Sequence, residues 1–275
     1  MSCSFRVKIH LPSGKSIRVS ELKNRDYLII LKYCENLDLE GLNDIFNSLF
    51  FSEDLSLDII DKFYLLLTIR MLFIDPDLTF ADKANNSIKF NISNILEKID
   101  HFENDFERTV NIQNFTITLG LPNIIYFKDI SDIYNSTIKT IVYNNKVINF
   151  NSLSVEEREQ VLTYIPNTVF SHINKHIALI TQHLQDFILI DKNEQFNIAE
   201  VNTNIISNEF MGFILSIFST GLKNFFELLY AFSSKIQVDG STFYELSPLD
   251  TRVIINIYNK DITDQNNELQ KQNQM

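Results

Sequence analysis

The sequence predicts an α+β protein that is mostly helical, with an N-terminal β-hairpin plus helices and a mixed α/β insertion in the middle. Three observations predict it. Strict two-residue alternation is confined to the first twenty positions, helical periodicity with recognisable caps dominates both ends, and short β-branched runs cluster between residues 79 and 150. The expected organisation is a hairpin and helical core over 1–78, a mixed α/β insertion over 79–205, C-terminal helices completing the core over 206–260, and a polar tail over 261–275.

At the N-terminus Phe5, Val7 and Ile9 alternate with Arg6, Lys8 and His10, the pattern of a half-buried strand. Pro12-Ser13-Gly14 supplies turn chemistry, and Ile17 and Val19 resume the alternation. Helices are predicted over 24–36, 38–50 and 56–74, the third with Ser56 as its N-cap and Asp58 in its first turn. From Phe63 to Ile74 only Thr68 and Arg70 interrupt its apolar run, so it belongs in the middle of a core. Strands are predicted at Ser87–Ile92, Phe115–Leu119 and Lys139–Tyr143, with Asn144-Asn145 as a tight hairpin turn. Ser154-Val155-Glu156-Glu157 is a capping box, and Thr242-Phe243-Tyr244-Glu245 repeats that pattern. Pro166 opens a helix to about 186, followed by helices over 207–219 and 221–236 around Gly221. Ser247-Pro248-Leu249-Asp250 combines an N-cap, a first-turn proline and an acid. The polar stretch from Asp261 is expected to fray.

Composition bounds the function. The 275 residues are 45% hydrophobic with 6 Gly and 5 Pro, enough for a sizeable core and contrary to wholesale disorder. A net charge of −11 repels phosphate backbones and argues against nucleic acid as a partner. Residues 1–50 nevertheless carry 7 basic and 6 acidic side chains, so a basic contact surface would have to be N-terminal. Two cysteines, Cys3 and Cys34, cannot form a disulfide framework. A reducing cytosol and a soluble, membrane-free chain are the expectation, since the most apolar stretch, Phe210 to Leu222, falls short of the ~20 residues a bilayer needs. The 38 Ile and 30 Asn have AT-rich codons, which accounts for them without a structural demand.

Candidate chemistry is sparse. Gly14-Lys15-Ser16 matches the end of a phosphate-binding loop, but Ile9 replaces the first glycine and the segment joins two strands. His172, His176 and His183 fall within roughly 40° of one another on a helix, a spacing at which imidazoles can share a metal. No glutamate accompanies them in the zinc-protease pattern, and a neutral polar stripe facing solvent or a partner is expected instead. No nucleophile elbow is present, and Glu156, Glu157 and Glu159 are explained by capping. Phe225, Phe226, Leu229, Tyr230 and Phe232 form an aromatic stripe, read as core or as a docking patch.

Leu11-Pro12-Ser13-Gly14-Lys15, Asn24-Arg25-Asp26-Tyr27 and the apolar helix Ile59 to Arg70 resemble the opening of T4-type phage baseplate hub subunits and hub assembly proteins. Phe226-Glu227-Leu228-Leu229-Tyr230 and Phe243-Tyr244-Glu245-Leu246-Ser247-Pro248 are similar to that family's closing pair of helices. The region from about 100 to 205 carries no part of the resemblance. It implies a non-enzymatic structural component of a contractile-tail baseplate hub, found in the virion and assembled in the host cytoplasm. Its implied partners are other baseplate and hub proteins, with homo-oligomerisation inside the hub open, and it implies no catalytic residue and no cofactor. The alternatives are a transient assembly factor absent from the virion, or a metal-dependent enzyme using the histidine stripe. Arg6, Lys8, Lys15 and Arg18 on the hairpin are the expected partner-binding residues.

Overall fold

A computed structural model describes residues 6–51, 56–81, 87–101, 106–112, 114–188, 209–219 and 221–273. Phe5 and Cys3 lie outside the described residues, as does the stretch between 188 and 209. The fold is α+β and mostly helical, with small antiparallel sheets. Among the described residues no helix is long and apolar enough to cross a membrane.

Strands β1 (Arg6–His10) and β2 (Ser16–Ser20) form the N-terminal hairpin, with Ile9 opposite Ile17 and Lys8 opposite Arg18. Gly14 takes φ +81° in the turn, a conformation that favours glycine. Ile9, Ile17 and Val19 are buried, so one face of the ribbon is core and the other solvent. Helices α1 (Asn24–Glu35), α2 (Leu39–Leu49) and α3 (Ile59–Phe73) follow.

The prediction for α3 holds in its burial: eleven of its fifteen residues are buried. A helix apolar on every face needs neighbours on every side. It has them in α4 (Ser93–Asp100), α8 (Glu209–Phe218) and α11 (Pro248–Asn273). Its N-cap is Asp58 and not Ser56: the Asp58 carboxylate accepts from the Asp61 amide at 2.9 Å. Asp75, just past the helix, pairs with Arg252 of α11.

The middle of the chain holds a hairpin of β3 (Asp77–Ala81) and β4 (Ser87–Asn91). It also holds an antiparallel meander of β5 (Arg108–Ile112), β6 (Phe115–Leu119), β7 (Ile138–Tyr143) and β8 (Lys146–Asn149). Asn144 and Asn145 turn β7 into β8 with φ 47° and 61°, the doubly left-handed turn that matches strand twist. Helix α5 (Ile130–Thr137) interrupts the meander. Neither α4 nor α5 is predicted from the sequence; each is eight residues in an Asn-rich setting.

Helix α6 (Val155–Tyr164) starts at the predicted Ser154–Glu157 capping box, with both reciprocal bonds present. Helix α7 (Asn167–Ile188) follows Pro166 and buries Val169, Ile173, Ile177, Ile180 and Leu184. After α8 come α9 (Leu222–Lys235) and α10 (Gly240–Glu245). No capping box forms at Thr242. The helix already runs through that residue from Asp239, and the Glu245 carboxylate is taken by Arg25 at 2.7 Å. Ser247 caps α11 by accepting from the Asp250 amide at 3.1 Å. The polar stretch expected to fray is helical to Asn273 as the exposed second half of α11.

The two ends of the chain are joined. The Asn24 amide N–H donates to Leu246 O at 2.8 Å, and the Tyr27 hydroxyl donates to Phe218 O at 3.3 Å. One continuous set of buried apolar side chains runs from the hairpin through the middle elements to α10.

Candidate functional site

The hairpin's outward face is built by alternation. Because Val7, Ile9, Ile17 and Val19 point toward the core, Arg6, Lys8, His10 and Arg18 point outward, and all four are exposed. Register places Lys8 directly across from Arg18. Like charges in direct cross-strand positions oppose pairing, and neither side chain has an ion pair among the described residues. His10 holds its place through Nδ1 and the Ser16 hydroxyl at 3.0 Å.

Lys15 does not share this face. It lies in the turn, where alternation lapses, and its ammonium donates to Ser56 O. The turn itself is fixed to α3: the Ser13 amide and hydroxyl donate to the two Asp61 carboxylate oxygens at 3.1 and 2.7 Å. Asp61 is fully buried, and these donors satisfy both of its carboxyl oxygens. The sequence shows its signal as a lone acid at the start of a run of apolar residues. Gly14-Lys15-Ser16 is thus a hairpin turn anchored on a carboxylate.

Beside that anchor, Lys15, Ser56, Asp58, Glu107, Gly120 and Lys139 line a cleft of about 290 Å³. Burial pushes the Lys139 ammonium below its usual range, and it donates to Leu121 O at 2.7 Å and Ser136 O at 3.2 Å. Burial raises the Asp58 carboxyl, which is engaged as the α3 cap. Lys15, Asp58 and Lys139 are therefore each bound to backbone groups of their own fold.

The three histidines lie on α7 but do not share an environment. His172 is exposed, whereas His176 is 2% exposed on the edge of the helix's apolar stripe, contrary to the expected polar stripe facing solvent or a partner. His176 Nε2 lies 3.2 Å from Gly120 O, which can only accept, so Nε2 carries the proton. Burial lowers its basicity and Nδ1 is unpartnered. His183 stacks edge-on against Phe106, with centroids 5.3 Å apart. Among the described residues no three His, Cys, Asp or Glu side chains are grouped to hold a metal.

The aromatic stripe divides between its two readings. Phe225 and Phe232 are buried and pack edge-to-face on Phe243, while Phe226 is 45% and Tyr230 69% exposed.

The model of the family described as T4 bacteriophage base plate protein matches residues 3–188. The matched stretch runs from the hairpin to the end of α7. It takes in the middle region that carried none of the sequence resemblance, and it stops before α8 to α11. No curated protein and no solved structure matches the chain. With the anchored hairpin, the α3 core and the β5–β8 meander all inside a match that covers more than half its length, the chain belongs to the T4 bacteriophage base plate protein family.

Proposed function

We propose that this baseplate protein is a non-enzymatic structural component of the baseplate hub, acting through protein–protein contacts during tail assembly. The observation that carries the reading is the Lys8–Arg18 pair. Two exposed cations held face to face on a short edge ribbon cost stability in the free chain, and an acidic neighbour would relieve that cost. The partner surface is Arg6, Lys8 and Arg18, with Lys15 serving to brace the turn. The partner is an acidic hub or baseplate protein and not nucleic acid, given the chain's own net charge of −11. Self-association inside the hub is compatible with this face, which leaves the rest of the surface free.

The test is a Lys8→Glu/Arg18→Glu variant in a phage complementation assay, with far-UV circular dichroism as a folding control. Loss of hub assembly at unchanged helical content is expected; normal assembly would overturn the reading. Quantitative mass spectrometry of purified virions then separates a resident subunit from a transient assembly factor. A fixed low copy number per particle is expected, and presence in infected cells with absence from virions would assign the transient role.

A further inference from the structure

The second half of α11 leaves the body of the protein. Thr251 near its start is 1% exposed, Ile255 and Tyr258 are half-buried, and every residue from Asn259 to Lys271 is exposed. Asn259, Thr263, Asp264, Asn266 and Asn267 are weak helix formers. A free helix of fewer than ~12–15 residues is marginal in water even with good formers. A helix of this composition projecting into solvent therefore calls for a neighbour along its length.

The apolar side chains define that neighbour. Ile255, Tyr258, Ile262 and Leu269 lie within roughly 60° of one another around the helix, and their spacings of three, four and seven keep the a/d rhythm of a coiled coil. Gln265 occupies the intervening seam position. The seam continues the buried edge of α11 out to Ile262, 40% exposed, and Leu269, 56% exposed.

We infer that this half of α11 pairs with the same helix of a second copy of the chain, parallel and in register. Two features select an identical partner in that orientation. A seam Gln needs both a donor and an acceptor across the interface, and an opposing Gln265 amide supplies both. Asp261 and Glu268 flank the seam on one side, with Asn259 and Asn266 on the other. A parallel pair sets Asp261 against Asn266 of the other copy, whereas an antiparallel pair sets acid against acid. Residues 248–273 lie beyond the stretch that matches the baseplate family, so this inference stands apart from the hub reading.

Sedimentation of the full-length protein at tens of micromolar tests it. The wild type is expected to be a dimer whose thermal midpoint rises with protein concentration, and Ile262→Asp/Leu269→Asp a monomer that still unfolds cooperatively, with a midpoint independent of concentration, because both sites lie outside the core. In a Cys3→Ser background, Gln265→Cys should oxidise to a covalent dimer and Asn267→Cys, on the far side of the helix, should not. A monomeric wild type, a dimer that survives the double substitution, or equal cross-linking at both positions would each overturn the inference.

Discussion

The side-chain amide of Asn24 donates to the Thr251 hydroxyl at 2.7 Å, 227 residues further along the chain, and to the Phe243 carbonyl at 2.8 Å. Asn24 and Thr251 are 2% and 1% exposed, so this bond joins α1 to α11 inside the core. Asn24→Ala removes both donors and leaves two buried acceptors short of a partner. It should cost about 1–3 kcal/mol, seen as a lower urea midpoint with an unchanged slope. An unshifted midpoint would show that the joint contributes nothing.

His176 makes stability sensitive to mild acid. Burial holds its folded-state pKa below the ordinary imidazole value of 6.5, so below that pH the unfolded chain binds a proton that the folded chain resists. Its contribution is fully present above about 6.5 and declines as pH falls. Thermal midpoints of wild type and His176→Gln should differ in slope between pH 7 and pH 5, the variant being flatter. Parallel profiles would refute the assignment.

Lys62 works in the opposite pH range. Burial, partly offset by Asp58, pushes its pKa down from 10.5 to about 8, and its ammonium lies 4.7 Å from the Phe51 ring centroid. Between those two values the unfolded chain binds more protons, so this group's penalty fades as pH rises from about 8 to 10.5. Lys62→Met should therefore be more stable than wild type at pH 7, by about 2–3 kcal/mol, with the advantage shrinking above pH 8. A gain that stays constant across that window would contradict this account.

Cys34 should be chemically silent. Burial pushes its thiol up to about 12, and Sγ faces Leu215 O at 3.8 Å. In a Cys3→Ser variant, a disulfide-exchange reagent should titrate almost no thiol in the native state and one per chain in urea. Rapid native labelling would place Cys34 at the surface.

Local signals were legible in the sequence where a few neighbouring residues determine the outcome. The Asn144-Asn145 turn, the Ser154–Glu157 box and the outward face of Arg6, Lys8 and Arg18 each follow from short-range pattern. Lys15 stands apart from that face because turn geometry, and not alternation, directs its side chain to Ser56. The His176 environment escaped because a helical wheel gives the angle of a residue but not the angle of the core. Asp58 replaced Ser56 as a cap because either residue type serves, and the choice is made by where α3 meets the rest of the fold. Helices of eight residues, such as α4 and α5, are held by tertiary contacts through Ile95, Ile99 and Ile133 more than by propensity.

The position of α3 also fixes the order of events on the ribosome. Its apolar surface is closed in part by α8 and α11, and its C-terminal partner Arg252 is made 177 residues after Asp75. At roughly 5–20 residues per second, that interval lasts on the order of 10–35 seconds of translation. Throughout it a greasy helix lacks two of the elements that seal it, so part of its apolar surface stays open to aggregation until the last helices emerge.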